Sequence, residues 1–239
     1  MTEQKPPSEK GLIREYVESL FVAIIIALIL RSFVIAAYKI PTGSMAPTLK
    51  AGDCIFAWKL PYGLRIPFTR ISIIQPQIPD RGDVIVFRYP EDESLSFIKR
   101  VVGVPGDKIE IRQKRLYIND KISQYENLKP ADLKVFDDLP HNEFHIFQKE
   151  TIDNKSHLVM FRRGEDEDSY GPEVVPEDRL FVLGDNRDSS DDSRFWGMVP
   201  LKNLEGRAIL IWCSFDWEKR IKNTGIPRVR TERLLTVIH

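Results

Sequence analysis

Residues 19–38 run for 20 positions with a single charge, Arg31, and with neither glycine nor proline. That length matches the roughly 20 residues a helix needs to cross the hydrocarbon core of a bilayer. The run therefore predicts a transmembrane anchor over residues 16–38, preceded by a polar tail at 1–15. A guanidinium is tolerated near the headgroups far better than at the bilayer centre. Arg31 is accordingly expected at the far interface, with residues 32–38 leaving as an apolar lead along the surface. A cleaved secretory signal is the alternative, but such a signal ends in a small-residue exit before an unrelated domain. Here the run passes directly into Pro41-Thr42-Gly43-Ser44-Met45-Ala46-Pro47-Thr48-Leu49. Charge leaves the orientation open, since Lys39, Lys50 and Lys59 balance Lys5, Lys10 and Arg14.

Downstream, residues 53–60, 83–89 and 96–104 are rich in Val, Ile and Phe and bounded by Gly, Asp and Pro, which predicts strands. Residues 108–118 followed by Asn119-Asp120 predict a hairpin. Residues 113–175 turn highly charged and hold three of the four histidines, the pattern of an inserted subdomain; strands resume at 178–183 and 206–215. The core is thus expected from 39–112 together with 176–217, and 218–239 as a solvated basic end. Thirty-five basic and 35 acidic residues leave no global field for a polyanion, which argues against nucleic acid as partner. Cys54 and Cys213 lie 159 positions apart without metal-type spacing and read as free thiols in strands.

Ser44 stands between Gly43 and two prolines, a setting that keeps the segment out of a helix and presents the hydroxyl. To act as a nucleophile it needs a base. The histidines lie in the charged region or at the last residue, and position 47 is proline, so neither a Ser-His-Asp triad nor a Ser-x-x-Lys motif is favoured. Lys99 and Arg100 sit inside the apolar stretch 97–102 and alternate onto opposite faces of a strand. Periodicity does not choose between them, but chemistry does, because lysine deprotonates when buried and arginine does not. As a base, Lys99 must fall from about 10.4 to roughly 7–8, which asks burial for some 3–5 kcal/mol. An edge lysine reaching for water is the ordinary alternative. The loop Gly184-Asp185-Asn186-Arg187-Asp188-Ser189-Ser190-Asp191-Asp192-Ser193-Arg194 lacks the glutamate a calcium loop requires at its twelfth position. It interleaves acid and base closely enough to satisfy its own charges.

Four ordered segments, 41–49, 81–87, 97–107 and 184–200, closely resemble those of bacterial type I signal peptidases. The resemblance covers residues 16–112 and 176–217. It implies a mainly β protein: an N-terminal transmembrane helix, then an antiparallel β-sheet catalytic core with an inserted smaller β subdomain. It implies that Ser44 is the nucleophile, Lys99 the general base, and that the Thr42 hydroxyl and the Ser44 N–H bind the oxyanion. Threonine stands at 42 where the family usually has serine. Ser190 would orient the lysine amine, Asp192 and Arg194 would buttress it, and Asp185 and Arg187 would support them. Ile40, Met45, Leu49, Phe97 and Ile98 would line the pocket before the cleaved bond, and Tyr38, Ile55 and Val86 the pocket two residues upstream. The implied partners are signal-peptide-bearing pre-proteins and the lipid bilayer, with no metal or other cofactor. The implied location is the inner membrane, with the catalytic domain outside the cytoplasm. A membrane-anchored β module that binds exported chains without cleaving them is the rival reading. A self-cleaving Ser-Lys repressor is a third, and the sequence offers it no DNA-binding domain.

Overall fold

The computed structural model describes residues 9–29, 34–62, 77–128, 144–164, 169–220, 225 and 227–239. The apolar run does not form one element. A helix, α1, spans Glu9–Ile29, and strand β1, Ile35–Lys39, takes the end of the run into a sheet. Among the described residues no helix is long and apolar enough to cross a membrane. The first half of α1 carries Arg14, Glu15 and Glu18, while Leu20, Phe21, Ile24, Ile26 and Leu28 stand exposed on the second. The expected placement of Arg31 falls outside the described residues. The expected surface lead ends instead as β1, because Ile35, Ala37 and Lys39 find a register against Trp58, Phe56 and Cys54.

The remaining chain is mainly β. Strands β2 (Asp53–Trp58), β3 (Val84–Arg88), β4 (Ser96–Gly103), β5 (Lys108–Arg112), β6 (Arg115–Ile118), β7 (Lys121–Ile122) and β8 (Gln124–Asn127) are followed by β9 (His145–Ile152) and β10 (Lys155–Arg162). Then come β11 (Tyr170–Val174), β12 (Arg179–Leu183), β13 (Val199–Pro200), the long β14 (Leu204–Arg220), β15 (Pro227–Val229) and β16 (Thr236–Val237). The main antiparallel sheet runs β1-β2-β14-β3-β4-β12-β13, with β15 and β16 also on β14. Smaller sheets run β10-β9-β8 and β11-β5-β6-β7.

Strand β3 explains how the main sheet is filled. Val84, Ile85, Val86 and Phe87 are all buried because β3 lies between β14 and β4 with both faces covered. A strand packed on both sides reads as a continuous apolar run rather than an alternation. Val84 and Val86 enter a cluster with Ile40, Met45, Leu49 and Ile55, whereas Ile85 and Phe87 enter one with Val101, Leu180 and Val182. Each such side chain contributes about 1.5–3 kcal/mol.

Two local expectations are refined. The β5–β6 hairpin turns at Gln113-Lys114, and Asn119-Asp120 joins β6 to β7; all four residues have positive φ, as two-residue turns with matching twist require. The C-terminal segment is exposed along most of its described residues, but it is tied down: β15 and β16 return to β14 and Ile238 is buried in the core. Arg233 explains the return: its guanidinium spans both oxygens of the buried Asp53 (2.6 and 3.1 Å) and also reaches the Thr48 carbonyl (2.9 Å).

Candidate active site

Ser44 lies in a turn held by short local bonds: the Ala46 N–H donates to the Gly43 carbonyl and the Leu49 N–H to that of Met45. Asp53 fixes the base of the turn, accepting from the Lys50 N–H at 2.8 Å on its side chain and from the Ile40 N–H at 2.8 Å on its carbonyl. Met45 and Leu49, both fully buried, anchor the turn in the core. The sequence thus lifts a small hydroxyl residue on an apolar root.

Lys99 is 4% exposed, and its Nζ lies 2.7 Å from Ser44 Oγ. It sits on β4, an interior strand with β3 on one side and β12 on the other, so the edge-lysine alternative does not apply. Burial lowers its pKa from 10.5 to about 8, against the carboxylates of Asp192, Asp191 and Asp185, which favour the charged form; Arg194 acts with burial. Desolvation is the winning effect here, and it leaves about a tenth of the amine neutral at pH 7, against a negligible fraction for an exposed lysine.

The loop after β12 closes over this contact. The Asn186 N–H donates to the Ser44 carbonyl at 3.1 Å, and Asn186 Nδ2 to the Gly43 carbonyl at 3.2 Å. Gly184 permits the approach: a Cβ there would lie 2.1 Å from Ser190 Oγ and 2.5 Å from the Ser44 carbonyl oxygen. Asp192 and Arg194 form a buried two-pronged pair at 2.8 and 2.9 Å, and Asp192 also accepts from the Gly184 N–H at 3.0 Å. Ser190 is buried with no partner for its hydroxyl, and no hydrogen bond joins it to Lys99 among the described residues. Thr42 is exposed on the turn, two residues before Ser44.

Asp185 and Arg187 are close to this pair in sequence but find other partners. Asp185 is gripped by Arg100 through two bonds of 2.8 Å, each side chain 1% exposed. Burial alone would raise the Asp185 carboxyl, but the Arg100 guanidinium holds it below the usual range. Arg100 also donates to the carbonyls of Gly82 and His239, so it ties three segments together behind the lysine. Arg187 pairs with Glu150 of β9, which also meets Tyr125 and His157. The Arg187 carbonyl accepts from Arg194 Nη2 at 2.5 Å, linking the two groups.

Of the apolar residues expected around the serine, Ile40, Met45, Leu49, Ile55 and Val86 share one cluster, with Tyr38 and Ile98 packed against it. Phe97 stacks instead on Tyr89, centroids 4.4 Å apart, with its ring 5.8 Å from Lys99 Nζ. Gly184, Asn186, Arg100 and Glu150 were not singled out for these contacts by sequence reasoning. Gly184 alone carried a readable signal, a glycine directly after a strand and opening a polar loop.

A serine hydroxyl within hydrogen-bond reach of a buried amine of lowered pKa is an arrangement in which the amine can accept the hydroxyl proton. A family model described as signal peptidase, peptidase S26, matches residues 13–213. Signal peptidase I of Pseudomonas aeruginosa is 36% identical over 238 residues, covering 93% of this chain and 80% of that one. Signal peptidase I of Pseudomonas fluorescens is 39% identical over 233 residues, with the same coverage of 93% and 80%. Among solved structures, a signal peptidase I from Enterococcus faecalis is 29% identical and covers 54% of this chain and 95% of that one, at a TM-score of 0.34. The chain belongs to the signal peptidase, peptidase S26, family, and is a peptidase.

Proposed function

We propose that this protein is a membrane-anchored serine endopeptidase that removes N-terminal signal peptides from exported pre-proteins, with Ser44 as nucleophile and Lys99 as general base. The observation that carries the reading is the 2.7 Å approach of a 4%-exposed lysine to Ser44 Oγ. Neutral Lys99 takes the Ser44 proton as Oγ attacks the carbonyl of the small residue before the cleaved bond, and then delivers it to the leaving amine. Water activated by the same amine releases the acyl group from serine. The Ser44 N–H and the Thr42 hydroxyl would receive the oxyanion, each donor lowering the barrier by about 3–4 kcal/mol. Asp192 and Arg194 keep the loop carrying Ser190 against the lysine. The small side chain would sit in a shallow apolar pocket over Ile40, Met45 and Leu49, with Tyr38, Ile55 and Val86 toward the next pocket upstream; these residues form one core cluster beside the turn.

Attachment to the inner membrane through the N-terminal segment, with the catalytic part outside the cytoplasm, belongs to the same proposal. It is supported by the exposed apolar side chains on the second half of α1. The experiment is cleavage of a purified pre-protein by the full chain in detergent. Ser44→Ala and Lys99→Ala are each expected to abolish processing while the circular dichroism of the fold is kept. Processing that survives either change would reject the assignment. Alkaline carbonate extraction of membranes carrying the chain tests attachment, and release into the supernatant would contradict it.

A further inference from the structure

Cys54 and Cys213 take no part in the site, and neither is in a disulfide. They are nevertheless direct partners in the antiparallel ladder between β2 and β14. Residues opposite one another in such a ladder leave the sheet on the same face, and burial, together with the neighbouring Cys54 thiol, raises the Cys213 thiol above its ordinary value. Opposed Cα atoms in antiparallel strands lie about 4.5 or 5.5 Å apart, within the roughly 4.4–6.8 Å that a disulfide spans. The ladder register is the observation that pairs these two thiols.

We propose that Cys54 and Cys213 form a disulfide across β2 and β14 when the protein meets a small disulfide oxidant. Cys54 is half-buried and Cys213 buried, so Cys54 is the point of entry. Its thiolate attacks one sulfur of the external disulfide, forming a mixed disulfide and expelling one thiol. Cys213 then gives up its proton and attacks the Cys54 sulfur, closing the protein bond and expelling the second thiol. Two protein thiols are thereby oxidised by two electrons, and one external disulfide is reduced to two thiols.

The bond would pin the sheet beneath the serine turn. Next along the ladder Asp53 faces Ser214, whose hydroxyl donates to it at 2.6 Å, and Asp53 in turn holds the turn through Lys50 and Ile40. The cross-link joins strands already in register, so it is expected to raise the thermal midpoint and leave processing unchanged.

The test is to incubate the full chain in detergent with oxidised glutathione, block remaining thiols with an alkylating reagent, and record the intact mass without reduction. The expected product carries no alkyl group and no glutathione, is two hydrogens lighter than the reduced chain, and yields a digest with the Cys54 and Cys213 peptides joined. Cys54→Ser is expected to stop closure, leaving Cys213 alkylated or carrying one glutathione. Alkylation of both cysteines in the unsubstituted chain, two glutathione adducts on it, or cross-links between chains would each overturn the proposal. The unsubstituted chain decides the matter even where a variant fails to fold.

Discussion

At Lys99 the folded protein opposes the charged form of its own side chain. The lysine is held at about 8 against an ordinary 10.5, and burial is the main cause. Below pH 8 it is protonated in both folded and unfolded states, so the penalty is present in full. Between 8 and 10.5 the unfolded state binds more protons, so stability rises with pH and the penalty disappears. At 1.36 kcal/mol per unit the penalty is about 3 kcal/mol. Lys99→Met, which keeps the length and removes the charge, is therefore expected to raise stability toward denaturant by up to about 3 kcal/mol at pH 7, with a gain that shrinks toward pH 10, and to abolish cleavage. Unfolding curves at the two pH values check this. Lys99 was legible in the sequence because only one of two adjacent cations can deprotonate. The role of Arg100 was not: alternation put it on the other face, but the grip on Asp185, 85 positions away, depends on how β12 lies against β4.

Among the elements, the loop over Lys99 depends on a sheet of the inserted region, which the residue pattern shows only as highly charged and the resemblance implies to be β. The Met160 N–H of β10 donates to the Asp185 carbonyl at 2.8 Å, and Asp188 receives the Arg162 N–H at 2.6 Å. Glu150 of β9 is fully buried against Arg187. Burial alone would raise its carboxyl, but Arg187 and His157 hold it well below the usual range. Burial and the Arg100 charge meanwhile lower His157. Glu150→Gln would leave the Arg187 charge buried without its counter-ion, a change costing about 3–5 kcal/mol where one partner of a buried pair is removed. It is expected to lower the denaturation midpoint and to lower kcat with KM little changed, because the Arg187 carbonyl no longer steadies Arg194. A change in KM alone would contradict that positioning role. Strands β3, β4 and β12 were legible because they bury both faces in Val, Ile, Leu and Phe. Strands β9 and β10 were not, because inward positions hold Glu150 and His157, and only the assembled fold brings Arg187 to Glu150 and Glu150 to His157. The turn at Gln113-Lys114 escaped notice for a related reason, since neither residue is an ordinary signal for positive φ.

Across the whole molecule, segments distant in sequence converge on the turn at 44. The strand at 35–39 leads into it, Arg233 and Asp53 fix its base, and Asn186 caps it from the loop after β12. A mainly β frame was legible in the sequence, but the end of the apolar run, expected as a lead along the membrane surface, was not legible as a strand, because hydropathy does not report that it has a partner in β2. Within the basic segment at 218–239, charge suggests solvent, and Lys219 and Arg228 are exposed, whereas Arg233 finds the buried carboxylate of Asp53. The account rests on an uncharged lysine in contact with a serine hydroxyl, and the pH dependence of kcat/KM for a defined signal-peptide substrate tests it most directly. The predicted profile rises through the loss of one proton near pH 8, the value at which burial holds Lys99. A profile flat from pH 6 to about 9, or the same rise in Lys99→Arg, would contradict it.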